Sequence, residues 1–381
     1  MTVTLIMLIF TTALFFGSAG TPIVRRLAIR AGFIALPKAD RAHTEPTALM
    51  GGLAIYGAAI AALVAITGIV ILTAGNIFRL KEFAAIVAGA SLMAAAGLLD
   101  DRRAMPPWLK LLAEFIPAAI VFWAGVRIRL PIVDNPFWNT ASNFALTVCW
   151  ILFITNAINY MDNADGVAIM TSATTSAIFM LIALLNGQQL VSILAAAVLG
   201  ASLGFARYNL PLPRTTIFMG DSGSLFLGFL LAVLGIKIRI PGNSTLVTWM
   251  VPVIVLGLPI FDTGLVFISR MRRGVSFLQG GIDHTTHRMA RLGMTGLSVA
   301  LAVSLINGAL GLTAIFITQA SVAEAYTIAA SLGGIALYAL WKLELSASHR
   351  FRTGRDAPLT NPAAPAPAEP AASAPPPPPR S

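Results

Sequence analysis

The run Asn143-Phe-Ala-Leu-Thr-Val-Cys-Trp-Ile-Leu-Phe-Ile-Thr-Asn156 passes without a break into Ala-Ile-Asn159-Tyr-Met-Asp162-Asn163-Ala-Asp165-Gly166. Its first part is apolar, uncharged and free of strand-like alternation, so it reads as a membrane-spanning helix, for which roughly 20 mostly apolar residues are needed. Its second part sets five amide and carboxylate groups, Asn156, Asn159, Asp162, Asn163 and Asp165, into ten residues. Lipid packing does not explain such a cluster. Oxygen ligands of this kind suit Mg²⁺, which keeps several waters and borrows phosphate oxygens.

Runs of the same apolar kind fill the chain on both sides, near 2–20, 50–73, 83–99, 109–125, 167–185, 190–206, 224–236, 247–269, 297–317 and 323–341. With 143–158 they make eleven. Of the 381 residues 57% are hydrophobic and 11% charged, with a mean hydropathy of +0.80. Soluble domains carry about 25% charged residues. The composition excludes a soluble enzyme and a disordered chain, and predicts an all-α, polytopic transmembrane protein of about eleven spans. Residues 1–348 form one integral membrane domain. Residues 349–381, a Pro/Ala-rich stretch, read as a disordered cytoplasmic tail.

The charge of +10 is a matter of topology, not of nucleic-acid binding. Twenty of the 26 Lys and Arg fall in alternate connections at 21–49, 100–110, 207–223, 270–296 and the tail. The other six are Arg79, Lys81, Arg127, Arg129, Lys237 and Arg239. By the positive-inside rule the first set faces the cytoplasm, with the N-terminus outside and the C-terminus inside. The first run has no Lys or Arg ahead of it and three arginines after it, so it reads as a retained anchor. Cys149 reads as a small core residue.

Most acidic residues gather on that same face. A transporter would keep polar groups near the midplane, so this distribution favours an enzyme joining a cytosolic reactant to a lipid reactant. Asp100 and Asp101 end a span in Gly-Leu-Leu-Asp-Asp-Arg-Arg, and Lys110, a point charge suited to phosphate, opens the next with Glu114 as an i,i+4 partner. Phe218-Met-Gly-Asp221-Ser-Gly-Ser224 opens another span, where glycines permit close backbone approach and free N–H groups suit an anion or Asp221 a metal. Gly281-Ile-Asp-His284-Thr-Thr-His287-Arg288 lies in an arginine-rich loop; its spacing does not suit zinc, and histidines beside arginines suit a pyrophosphate. No Walker loop or dinucleotide glycine fingerprint is present.

Taken in order, these motifs resemble the polyprenyl-phosphate N-acetylhexosamine-1-phosphate transferase superfamily. The stretch Pro37–Gly52, with His43, resembles its first cytoplasmic motif. The resemblance covers about residues 1–345. It implies transfer of a HexNAc-1-phosphate, GlcNAc-1-phosphate first, from a UDP-sugar to undecaprenyl or another polyprenyl phosphate, with release of UMP and the start of a lipid-linked cell-envelope glycan. It implies Mg²⁺, with Mn²⁺ as an alternative ion, and a bacterial cytoplasmic membrane with the site on its cytoplasmic face. Under it Asp221 and Asn159 are metal candidates, and Asp100, Asp101 and Asp162 catalytic candidates. Lys110, His284, His287, Arg288, Asp165 and His43 contact substrate, with Asp165 at the uracil. In-line attack and a covalent aspartyl-phosphate route are both open. Partners are the UDP-N-acetylhexosamine, the polyprenyl phosphate and the bilayer; a homodimer is compatible. The His284-Thr-Thr-His287 form, lacking a middle histidine, is closer to the GlcNAc branch than to the phospho-MurNAc-pentapeptide translocases, which stay the alternative. The rival outside enzymes is a non-catalytic transporter or scaffold for lipid-linked sugars.

Overall fold

In the computed structural model, which describes residues 2–35, 47–74, 79–276 and 281–346, the chain is a helical bundle with one short hairpin. The long helices are α1 (Thr2–Arg30), α2 (Gly51–Ala74), α3 (Leu80–Arg102), α4 (Pro107–Ala124), α5 (Pro136–Met161), α6 (Val167–Leu185), α7 (Gln189–Asn209) and α8 (Gly220–Lys237). The short α9 (Thr245–Thr248) and α10 (Met250–Val255) lead into α11 (Gly257–Arg273). After α12 (Thr285–Arg291) come α13 (Gly296–Ile317), α14 (Val322–Leu340) and a π-helical turn, Trp341–Ser346. Among the described residues ten helices are long and apolar enough to cross a bilayer, and the bent pair Thr245–Val255 and Gly257–Arg273 passes the same test when its two pieces are taken together. The His43 expectation and the 349–381 tail lie outside the described residues.

Local chemistry fixes where the helices begin and end. Pro107 and Pro136 occupy first-turn positions, where the missing N–H is no loss. Asn135 caps α5, its Oδ1 accepting from the Phe137 and Trp138 N–H groups. Ser321 and Glu324 form a reciprocal capping box on α14. Gly125 ends α4 with φ 110°, a conformation that favours glycine.

Several sequence expectations shift. The first helix runs ten residues past the expected 20, because Ile23, Val24, Leu27 and Ile29 keep it apolar; Arg25, Arg26 and Arg30 are therefore helical and not loop residues. The 247–269 run is bent by 70° at Leu256, between Pro252 and Pro259, each of which lacks a backbone donor. The 224–236 run, the shortest, belongs to an 18-residue helix that is among the most enclosed, 83% of its apolar window being buried. Cys149 is exposed on the outer surface of the bundle and not in its core. Glu82 is buried in the first turn of α3.

The central helix α8 packs against α3, α5 and α2, while α1, α7 and α6 form an adjoining layer. Glycines let the start of α8 come close to its neighbours. A Cβ at Gly97 would lie 2.3 Å from the Asp221 carbonyl oxygen, and one at Gly52 would lie 2.1 Å from the Gly223 nitrogen. The hairpin strands β1 (Ile34–Ala35) and β2 (Thr47–Ala48) are antiparallel, and Ala48 also bridges Ile217. Phe218 N–H donates to Ala48 O, and Gly51 N–H to Phe218 O. The stem of the expected His43 motif is thus tied to the segment that enters α8.

Candidate active site

The C-terminal ends of α3 and α5 and the N-terminal ends of α4 and α8 meet at one end of the bundle, and there the polar residues converge. Lys110 Nζ stands between two carboxylates, 2.5 Å from Asp221 Oδ2 and 3.0 Å from Asp100 Oδ2. Asn159 Nδ2 donates to Asp221 Oδ1 (3.0 Å) and to Ser224 Oγ (2.8 Å). Asp100 Oδ1 accepts the Met105 N–H at 2.6 Å, which closes the turn after α3. Residues 10 to 121 positions apart in sequence thereby share one charged cluster.

Asp101 is used differently from its neighbour. Its two oxygens accept the N–H groups of Asp221 (2.8 Å) and Ser222 (3.1 Å). The N–H groups expected to hold a substrate anion are therefore occupied by the chain's own carboxylate. Gly220, at φ 73°, permits this, since a Cβ there would lie 2.7 Å from Asp101 Oδ2. The pair Asp100–Asp101 divides its work: one carboxylate meets Lys110, the other caps α8.

Glu114 differs from expectation as well. It is fully buried and pairs with Asn156 Nδ2 (2.5 Å), not with Lys110, and its Oε1 has no partner. Asp262, given no role by the sequence, accepts the Thr285 N–H (2.6 Å) and holds His284 Nδ1 at 2.8 Å. The signal was there: Glu114 and Asp262 are the two acids that fall in the interior of the expected spans, where an ionisable group is costly, while Glu324 sits at the edge of one.

The 281–288 loop docks on the end of α5. Thr286 Oγ1 donates to Asn163 Oδ1. Tyr160 stands edge-on to His284, with centroids 5.8 Å apart, and His287 lies 6.0 Å beyond. Asn159 in the acidic cluster and Tyr160 beside the histidines are adjacent, so α5 joins the two groups. Burial, with His284 and Arg291 close by, pushes the His287 imidazole below its ordinary value. Its imidazole is thereby held toward the neutral form. Burial works against the Asp283 carboxylate, but Arg273 (2.6 Å) and Arg270 (3.1 Å) outweigh it and hold Asp283 below the usual range.

The other candidates make contacts of their own. Asp162 is the C-cap of α5. Asp165 accepts from Thr215 Oγ1 (2.8 Å), and the next N–H, of Gly166, donates to Asn209 Oδ1. Arg288 is held by Glu344 (2.7 Å) and by the carbonyls of Leu343 and Asp283. Arg288→Lys keeps the charge but loses the fork. It is expected to raise amide hydrogen exchange in 341–346, read by mass spectrometry; unchanged exchange there would show that the contact does not anchor this turn.

A metal is compatible with the donor set. Among the described residues no three His, Cys, Asp or Glu side chains converge as a closed cage. Carboxylate oxygens of Asp221 and Asp100 flank Lys110, with the Asn159 amide against Asp221, and Mg²⁺ binds through one or two carboxylates plus substrate phosphates.

Fold and site together define a polytopic helical membrane protein with a charged reaction surface at one end of its bundle. Residues 83–239 match the sequence profile of glycosyl transferase family 4. The chain is 31% identical over 305 residues to a probable undecaprenyl-phosphate N-acetylglucosaminyl 1-phosphate transferase of Bacillus subtilis, covering 79% of this chain and 82% of that one. It is 30% identical over 308 residues to a decaprenyl-phosphate N-acetylglucosaminephosphotransferase of Mycolicibacterium smegmatis, covering 75% of each. A phospho-N-acetylmuramoyl-pentapeptide-transferase of Levilactobacillus brevis is 29% identical over 163 residues, 39% of this chain. The chain belongs to glycosyl transferase family 4.

Proposed function

We propose that this protein transfers GlcNAc-1-phosphate from UDP-GlcNAc to a polyprenyl phosphate in the bacterial cytoplasmic membrane, releasing UMP on the cytoplasmic side. The observation that carries the reading is the Asp100–Lys110–Asp221–Asn159 cluster at one end of a lipid-embedded bundle. The similarity to N-acetylglucosamine-1-phosphate transferases over three quarters of the chain supplies the substrates.

In this mechanism an oxygen of the lipid phosphate attacks the sugar-bearing phosphorus of the UDP-sugar. The bond from that phosphorus to the bridging oxygen breaks, and UMP leaves with the electron pair. Phosphoryl transfer of this kind depends on positioning and charge neutralisation. Asp221, with Asn159 and Asp100, would hold Mg²⁺ or Mn²⁺, which when bound neutralises charge on the diphosphate. Lys110 turns from the carboxylates to the phosphates as substrate enters. Asp100 orients the lipid phosphate, because Asp101 is committed to the α8 backbone. His284, held by Asp262, and neutral His287 donate hydrogen bonds to the diphosphate. Direct in-line attack is preferred, since a dianionic lipid phosphate is already a nucleophile.

Purified full-length chain with Mg²⁺, undecaprenyl phosphate and a panel of UDP-sugars tests this, with UMP as the readout. UMP release with UDP-GlcNAc is expected. Release only with UDP-MurNAc-pentapeptide would move the reading to the translocase branch, which the shorter Levilactobacillus match favours. No release with any sugar would remove the enzyme reading.

Sidedness has its own test. Leu292 is 78% exposed beside the histidine loop, and Asp134 is exposed at the other end of the bundle. In a Cys149→Ser background, an impermeant thiol reagent on intact cells is expected to label Asp134→Cys and spare Leu292→Cys. The reverse pattern would turn the site away from the nucleotide sugar.

A further inference from the structure

The six basic residues left outside the cytoplasmic set do not scatter over the far end of the bundle. Arg79 Nη1 meets Glu82 Oε1 at 3.0 Å, and Lys237 pairs with Glu82 Oε2. Glu82 is buried, so its charge is already matched twice. Burial, and then the like charge of nearby Arg129, weaken the hold of Arg239 on its proton. Among the described residues no carboxylate lies within ion-pair distance of Arg127, Arg129 or Arg239.

Arg127 and Arg129 line a cavity of about 310 Å³ with Leu130, Asn139, Thr140 and Phe122. The cavity is preformed. Asn143 exchanges two 2.9 Å hydrogen bonds with the Leu130 backbone, and Asn139 Oδ1 accepts from the Ile132 (2.9 Å) and Val133 (3.3 Å) N–H groups. These bonds pin the 128–133 loop to the first turns of α5. Close in the chain to the lining residues Phe122 and Asn139 are Trp123, Phe137 and Trp138, each more than 60% exposed. Exposed Trp and aromatic side chains at helix ends mark the bilayer interface. The positive-inside rule gives no reason for gathering arginines here, since it disfavours basic residues on this face.

We propose that this cavity binds the phosphate of an anionic lipid headgroup, at the end of the bundle opposite the Lys110 cluster. These two guanidiniums, with no carboxylate partner among the described residues, provide charge-assisted donors for the phosphate. The aromatic and aliphatic rim takes the start of the acyl chains, which a soluble anion lacks. The site is separate from the transfer reaction and stands whether or not that reading holds.

The test is native mass spectrometry on the full-length protein exchanged from phosphatidylglycerol or phosphatidylcholine micelles into detergent. Wild type is expected to retain phosphatidylglycerol about tenfold more tightly than phosphatidylcholine. Arg129→Glu reverses an exposed charge without touching the core and should abolish the preference; Lys81→Ala, on the same face but outside the cavity, should leave it intact. A thermal melt of each variant without lipid confirms folding. Competition by excess inorganic phosphate would identify a free anion as the stronger occupant of the same site, and absence of competition the lipid. Equal retention of the two lipids by wild type, or an unchanged preference in Arg129→Glu, would overturn the proposal.

Discussion

Asp221→Asn is expected to lower the rate of UMP release by on the order of 10³-fold or more, the scale seen when a preorganised electrostatic contact to a transition state is lost. The aspartate receives Lys110 at 2.5 Å and Asn159 at 3.0 Å, and it is the one carboxylate in contact with both. Asparagine preserves its shape but removes the charge that would hold a divalent ion. The start of α8 should survive, because Asp101 and not Asp221 satisfies its first N–H groups. The expected signature is lost turnover with an unchanged melting temperature. Near-normal turnover would remove Asp221 from the site.

The second large effect is a contrast between adjacent residues. Asp100→Asn should reduce kcat by about 10²–10³-fold with little effect on stability. Its amide oxygen still accepts from Met105 N–H, while the negative partner of Lys110 is lost. Asp101→Asn should chiefly destabilise the fold, by about 1–3 kcal/mol, because an amide offers one acceptor where two N–H donors wait. Its NH₂ group would oppose one of them. Parallel melts and kinetics on the two variants separate these outcomes. If Asp101→Asn were stable and inactive while Asp100→Asn were active, the division of labour would be inverted.

Much of the architecture was legible from residues alone. Each apolar run is a span because nothing else satisfies so many buried backbone groups in lipid, and the eleven runs reappear in order. Their ends were less legible. The 21–30 stretch is helical because apolar side chains continue past Pro22, and the ninth span is broken because two prolines remove donors within one segment. The polar motifs could be found, since acids and amides at span ends are conspicuous, yet their partners could not. Spacing gave Lys110 a neighbour at Glu114, but the ammonium reaches Asp221 across 111 positions.

The sequence by itself determined that this is a polytopic helical membrane protein, that its acids, amides and histidines collect at one end of the spans, and which transferase superfamily it resembles. Those conclusions rest on composition and local order, which need no knowledge of how the helices meet. Only the tertiary structure decided which residue meets which. It turned Asp101 into the cap of α8, left Asp100 and Asp221 to share Lys110, set Asp262 behind His284, and tied Arg288 to Glu344. The physical reason is that these contacts depend on how closely helices approach and how they rotate about their axes. Glycines at Gly52 and Gly97 set that approach through backbone contacts, and Gly220 through the Asp101 carboxylate, between segments far apart in the chain, and no local pattern encodes them.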